Sequence, residues 1–240
     1  MINRFFARCS RYVFILFISF YASIVFADTQ AIGQIIWAKG DVHAVGVDKT
    51  TRALQRGSAV YQEDTVQTSN TGTGEIAFTD GSLLSLRSAT NIVLSQYKHG
   101  NGNPPAQDSF VVNVVKGGFR TVTGAISKNN PQGYEVSTPL GTIGVHGTIY
   151  DVFYNATIAK LSLAISQGSI RIVPQKGEAV VLSQGTANIG ATITATQIRV
   201  LNTKPPEVSA APKIVPVKIT VEPAPAGSNG KNIIKVSPCP

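Results

Sequence analysis

The sequence predicts an all-β domain, and three observations carry that prediction. From Ile32 to about Leu201 the chain is a succession of short runs rich in Val, Ile, Thr, Phe and Tyr, bounded by Gly, Asn, Asp or Pro. Within it, every window long enough for an amphipathic helix is interrupted by a glycine or a β-branched run. Glycines at 40, 57, 81, 117, 141, 168 and 185 each adjoin a strand run, at spacings too uneven for a strict repeat. That pattern suits a rolled or solenoid-like sheet in which glycine relieves a corner that needs positive φ, with a β-sandwich as the alternative.

The elements follow in chain order. Residues 1–27 read as a signal peptide: Arg4, Arg8 and Arg11 precede the apolar run Tyr12–Phe26, and Val25-Phe26-Ala27 fits a cleavage site, so the mature chain is expected to begin at Asp28. An uncleaved anchor is the alternative, although the run is short for a span of about 20 residues. No further membrane span is expected after cleavage, and the destination is the periplasm or the exterior. Residues 28–203 form the β domain. Its strand runs are Gln34–Ala38, Thr65–Thr68, Glu75–Thr79, Leu83–Leu86, Asn91–Tyr97, Phe110–Val115, Phe119–Thr123, Tyr134–Ser137, Thr148–Tyr154, Lys160–Ile165, Ser169–Val173, Ala179–Leu182 and Gln197–Leu201. Thr79-Asp80-Gly81-Ser82 reads as a two-residue hairpin turn that sets Phe78 opposite Leu83 and Ile76 opposite Ser85, or equally as a solenoid corner. Around Gly147 the apolar parity changes: Ile143 and Val145 share one face, Tyr150, Val152 and Tyr154 the other, which predicts a bulge or bend at the glycine.

Residues 204–240 hold eight of the chain's 13 prolines and predict a disordered, flexible tail. Ile214–Val221 could dock as an edge strand, and Ile233–Val236 is an apolar patch open to capture by strand addition. Cys239 is the single cysteine after the leader, so no intramolecular disulfide can form; its thiol pairs with another chain or stays exposed.

Charge narrows the function. Of 21 basic residues three fall in the leader, leaving 18 against 13 acidic ones, a net of about +5. The basic residues are scattered singly rather than gathered into a stripe, so nucleic acid is not an expected partner. His43, His99 and His146 lack ligand spacing, and no metal site or cofactor is assigned. No nucleophile elbow is present, and Asp64, Asp80, Asp108, Asp151 and Glu135 are not brought to a shared cleft by the sequence, so no catalytic residue is assigned. Three residues remain as candidates for recognition: His146 beside the predicted bend, Arg120 on the strand face opposite Phe119 where it can anchor an acidic partner, and Trp37, for which core packing is the favoured role.

The stretch from Gly133 to Val152, with Thr138, Pro139, Gly141, Val145, Gly147, Thr148 and Tyr150, resembles the signature of the FecR-like domain, His146 standing where that family usually has arginine. Lys116–Gly124 followed by Asn129-Asn-Pro131 is similar to the piece leading into that signature, and Gly33–Val42 and Leu54–Thr68 resemble its opening strands. The resemblance implies a non-enzymatic binding, scaffold or sensor module of the cell envelope that acts through a protein partner. Thr138, Pro139, Gly141 and Gly147 of this stretch are read as its structural motif, and Thr148 and Tyr150 join Arg120 and His146 as the expected binding residues. In well-known members the domain is periplasmic and relays an iron-uptake signal to a cytoplasmic sigma factor; here the leader precedes the domain directly. Two further readings stay open: an envelope carbohydrate-binding protein or enzyme on a β-solenoid surface, and a structural adhesin-type protein.

Overall fold

A computed structural model describes residues 30–100, 104–186, 189–209, 217–222 and 233–238. The leader and Cys239 lie outside the described residues. The strands are β1 (Ala31–Lys39), β2 (Val42–Val45), β3 (Thr51–Ala53), β4 (Ala59–Tyr61), β5 (Thr65–Thr68), β6 (Thr73–Phe78), β7 (Leu83–Leu86), β8 (Asn91–Lys98), β9 (Ser109–Val122), β10 (Tyr134–Thr138), β11 (Gly141–Asn155), β12 (Lys160–Pro174), β13 (Val180–Ser183), β14 (Gly190–Ile193), β15 (Ile198–Leu201), β16 (Val217–Glu222) and β17 (Ile233–Pro238). Two short helices, α1 (Ala125–Asn129) and α2 (Pro206–Ser209), interrupt them. The domain is all-β, and β1–β15 form one sheet.

Three long strands make that sheet roll. The first half of β9 pairs with β8 and β10, its second half with β7 and β11. β11 and β12 divide in the same way: Gly141–Gly144 of β11 pair with β10, whereas Ile149–Tyr154 pair with β9, and β12 passes from β14 to β13. One layer therefore runs β4-β1-β6-β7-β9-β11-β12-β14-β15, and the other β3-β2-β5-β8-β9-β10-β11-β12-β13, with the long strands common to both. The rolled sheet is thus a sandwich in section, which reconciles the two sequence alternatives. Phe78 of the first layer meets Phe110 of the second, ring centroids 4.6 Å apart, inside one continuous apolar cluster.

Glycine sits at each bend. Gly117, Gly147 and Gly168 have φ of 72°, 59° and 78°, a left-handed conformation that costs side chains with a Cβ. At Gly147 an added Cβ would meet nothing nearer than Lys128 Cγ at 4.0 Å, so the requirement there is the backbone angle; at Gly117 it would collide with Thr90 Cα at 2.5 Å. The β11–β12 register slips between His146 and Ile149. Ile143 and Val145 before the slip and Tyr150, Val152 and Tyr154 after it are all buried, as the parity change predicts. The seven glycines the sequence places at strand ends all have positive φ.

Two local expectations are corrected and one is extended. The β6–β7 hairpin pairs Ala77 with Leu83 and Ile76 with Leu84, because Thr79, Asp80 and Gly81 all lie in the loop, closed by the Phe78 amide donating to the Ser82 carbonyl at 2.9 Å. This one-residue shift sets Ile76 opposite an apolar partner. Asp80 does more than turn the chain: it is buried, its carboxylate accepts from the Ser82 amide and hydroxyl, and its carbonyl accepts from Ala125 at the start of α1. Trp37 is 47% exposed rather than in the core, since the bulge between Ile35 and Trp37 turns it outward.

The proline-rich segment begins packed. Pro205 and Val208 are buried against the first layer. β16 and β17 pair with each other as a separate hairpin beside β1, rather than extending an edge of the main sheet.

Candidate functional site

Strand alternation places a row of side chains on the outer face of the first layer. Cross-strand pairing runs Trp37–Glu75–Ser85–Arg120–Asp151–Ala164, from β1 to β12. An outer sheet face normally meets solvent, yet Asp151 is 0% exposed, and Glu75 and Ser85 are buried as well. The segment 204–209 covers the middle of the row.

Side chains of the sheet hold that cover by its main chain. Arg87, just after β7, donates from Nη1 to the Glu207 carbonyl at 2.9 Å and from Nη2 to the Val208 carbonyl at 3.0 Å. Lys160 Nζ meets Glu207 Oε1 at 2.6 Å, and Lys204 Nζ reaches Ser166 Oγ at 2.7 Å, an oxygen that also accepts from Arg120 at 3.1 Å. Asp151 lies between Arg87 and Arg120, each guanidinium 3.8 Å from one of its oxygens. Neither carboxylate oxygen nor Arg87 Nε has a hydrogen-bond partner. A buried polar group left unmatched costs about 1–3 kcal/mol, so the cluster is held at a disadvantage.

The electrostatics follow from burial. Desolvation raises the Asp151 carboxyl above the usual carboxylate range, opposed by the charges of Arg120, Lys204 and Arg87. Burial alone pushes Glu75 up to about 7. Glu207 is lowered, first by its hydrogen bond from Lys160. The arrangement can grip a peptide: a guanidinium fork on consecutive carbonyls, an ammonium on a carboxylate, and a buried aliphatic side chain beside them.

The residues singled out by the sequence divide. Arg120 is on the outer face as expected, but it faces Asp151 and Ser166 of its own chain instead of standing free for an acidic partner. Thr148 is buried, its hydroxyl donating to the Ser169 carbonyl and its amide to Thr123 Oγ1. Tyr150 is wholly buried in the core, in edge contact with Phe119. These two support the fold around the signature and offer no surface. His146 is exposed at the bend. Thr138 Oγ1 closes the β10–β11 turn by donating to the Gly141 carbonyl, and Gly141 has no room for a Cβ, which would lie 2.5 Å from the Val173 carbonyl. Pro139 is exposed at the tip of that turn. Among the described residues, no three His, Cys, Asp or Glu side chains gather into a metal-binding group.

The outer face of the second layer has another character. Its central row, Val45–Thr65–Val93–Asn113–Ser137–Thr142–Val173, carries no charge and is partly or fully exposed along its length. Val115, Val173 and Val181 are about half exposed there.

Sequence reasoning missed Arg87, Glu75 and Lys204, and named Asp151 only as an unassigned carboxylate. The available signal was a charge flanked by core residues, as in Phe119-Arg120-Thr121 and Tyr150-Asp151-Val152, but that pattern reads as solvent exposure until the cover is known.

Residues 64–171 match the family model described as FecR protein. Two crystal structures of a candidate anti-sigma factor from Parabacteroides distasonis ATCC 8503 each align at 14% identity and a TM-score of 0.47, covering 58% of this chain and 60% of that one. The chain thus spans less than two thirds of those proteins. No curated protein matches.

Proposed function

Residues 64–171 being a FecR domain, we propose that the chain is an exported, non-enzymatic sensor or scaffold module of the cell envelope, working through a protein partner. The observation that carries this reading is the uncharged central row of valines and polar side chains on the second layer, which no described segment covers. Burying such a row against another protein desolvates few charges, and aliphatic area contributes about 25 cal/mol per Å² removed from water. The Arg120 side of the domain is already engaged by its own chain, which leaves the second layer and exposed His146 at its margin as the partner-facing surface.

The test is photocrosslinking in cells, with a photoreactive residue at Thr142 or Val173 and, as control, at Ile158 in the β11–β12 turn, itself 62% exposed. A discrete crosslinked product from the first two sites and none from the third is expected. Equal capture at all three would sink the assignment of the face. N-terminal sequencing of the same exported material should begin at Asp28, and a full-length chain in the membrane fraction would reverse the export reading.

A further inference from the structure

We propose that the charged outer face of the first layer is a receptor groove for a peptide in which a proline is followed two residues later by an acidic residue and then by an aliphatic one, and that Pro205-Pro206-Glu207-Val208 occupies it as an internal stand-in, Pro205 and Val208 being its buried residues and Pro206 its exposed one. The groove is separate from the uncovered second-layer face and does not depend on it.

Each contact of the stand-in is one that a segment of another protein could make. Arg87 binds two successive main-chain carbonyls, which any peptide presents. Lys160 selects the acidic side chain. Val208 is 1% exposed, seated as the aliphatic anchor. Gly190 admits the preceding proline closely: a Cβ there would lie 2.9 Å from Pro205 Cδ. The segment adds no strand to the sheet; the amides of Val208 and Ser209 turn back to the Pro205 carbonyl. It is held by side-chain grips rather than by a ladder, the mode in which one peptide replaces another without unzipping the sheet.

The fit of the stand-in is also incomplete. Asp151 lies wholly buried among Arg87, Arg120 and Lys204 with both oxygens lacking a donor, and Arg87 Nε lacks an acceptor. A partner segment carrying a hydroxyl or amide at this depth would satisfy groups that residues 204–209 leave unmatched.

The experiment uses the full exported protein and a fluorescent nonapeptide copying residues 202–210, Asn-Thr-Lys-Pro-Pro-Glu-Val-Ser-Ala. Val208→Asp in the protein expels the internal segment, and fluorescence anisotropy should then show the peptide binding at least tenfold more tightly than to the unaltered chain. Adding Lys160→Glu should cost at least tenfold, and a peptide with Glu207→Lys should recover it. Equal binding by Val208→Asp and the unaltered protein, or no recovery on charge exchange, overturns the proposal. Should Val208→Asp fail to fold, Glu207→Lys in the full chain replaces it; if both unfold, the segment is a fixed part of the domain and the groove is no receptor. Light scattering closes the remaining alternative: a dimer formed by exchange of the segment between two copies would overturn the assignment to a separate partner.

Discussion

The two layers share three long strands, yet their outer faces are opposites. The first buries charge beneath a piece of its own chain; the second exposes a central row of valines and polar uncharged side chains that no described segment covers. The bends at Gly117, Gly147 and Gly168 make this contrast, because crossing a bulge reverses which residues of a strand point outward. On β11, Thr142 and His146 face out before the bend, and Asp151 after it. One strand thus supplies a neutral face and a charged one. Burial of charge is costly unless it is fully matched, and the cover leaves Asp151 and Arg87 Nε without hydrogen-bond partners, so the first face stays closed at a cost that the exposed second face does not bear.

The largest effect expected from this contrast is at Arg87. Arg87→Ala removes one of the cations beside buried Asp151 and the two guanidinium hydrogen bonds to the main chain of the cover. Breaking a buried pair typically costs 3–5 kcal/mol, and urea denaturation should show a loss of about 3 kcal/mol or more. Arg171→Ala, an exposed arginine on the second layer, should stay within about 0.5 kcal/mol. Comparable losses at the two sites would break the contrast.

Gly147→Val should come next. The cost arises from the backbone angle rather than from crowding, since space is available around that position. A β-branched residue in the left-handed region should lose roughly 2 kcal/mol. Chemical denaturation checks it, and an unchanged midpoint would mean the strand can bend without glycine.

Glu75 sharpens the comparison through pH. Its folded value of about 7 lies above the ordinary 4.5, so the folded state favours the protonated acid. The stability this provides is complete below about pH 4.5 and is lost as pH rises through 7. Glu75→Gln should therefore raise stability relative to the unaltered protein at pH 8, by about 1–2 kcal/mol after allowing for solvent screening, with the difference shrinking toward pH 4. A melting-temperature gap that does not change with pH would show that folding leaves the Glu75 carboxyl in its ordinary range.

The fold was largely legible in the sequence because alternation and glycine placement are local signals. The bend at Gly147 could be read from parity alone, and the glycine corners from their neighbours. What escaped depends on contacts between distant residues. Trp37 reads as core because its run is apolar, and only the bulge at Ile35 turns it out. Arg120 reads as free because nothing local announces Asp151 across the strand pair or the cover arriving some 120 residues after Arg87. Val208 lies in a composition typical of disorder, and the grips of Arg87 and Lys160 on Glu207 and Val208 hold it against the sheet. Thr148 and Tyr150 belong to the signature for structural reasons, which a motif cannot separate from recognition.

The smallest expected change in stability is also the most discriminating. His146 stands at the bend itself, exposed, next to a glycine whose replacement should be costly. If the bend serves only the fold, both neighbours should matter to stability. If it serves to present a side chain toward the second-layer face, His146→Ala should leave the denaturation midpoint within about 0.5 kcal/mol, as removal of an exposed side chain does, while the crosslinked product from Thr142 or Val173 falls. The two measurements are made on the same purified variant and the same cells. An intact fold with undiminished capture would remove His146 from the partner surface; a loss of stability approaching that of Gly147→Val would make the imidazole part of the bend's packing, and the partner-facing surface would then have to be sought in the valine row alone.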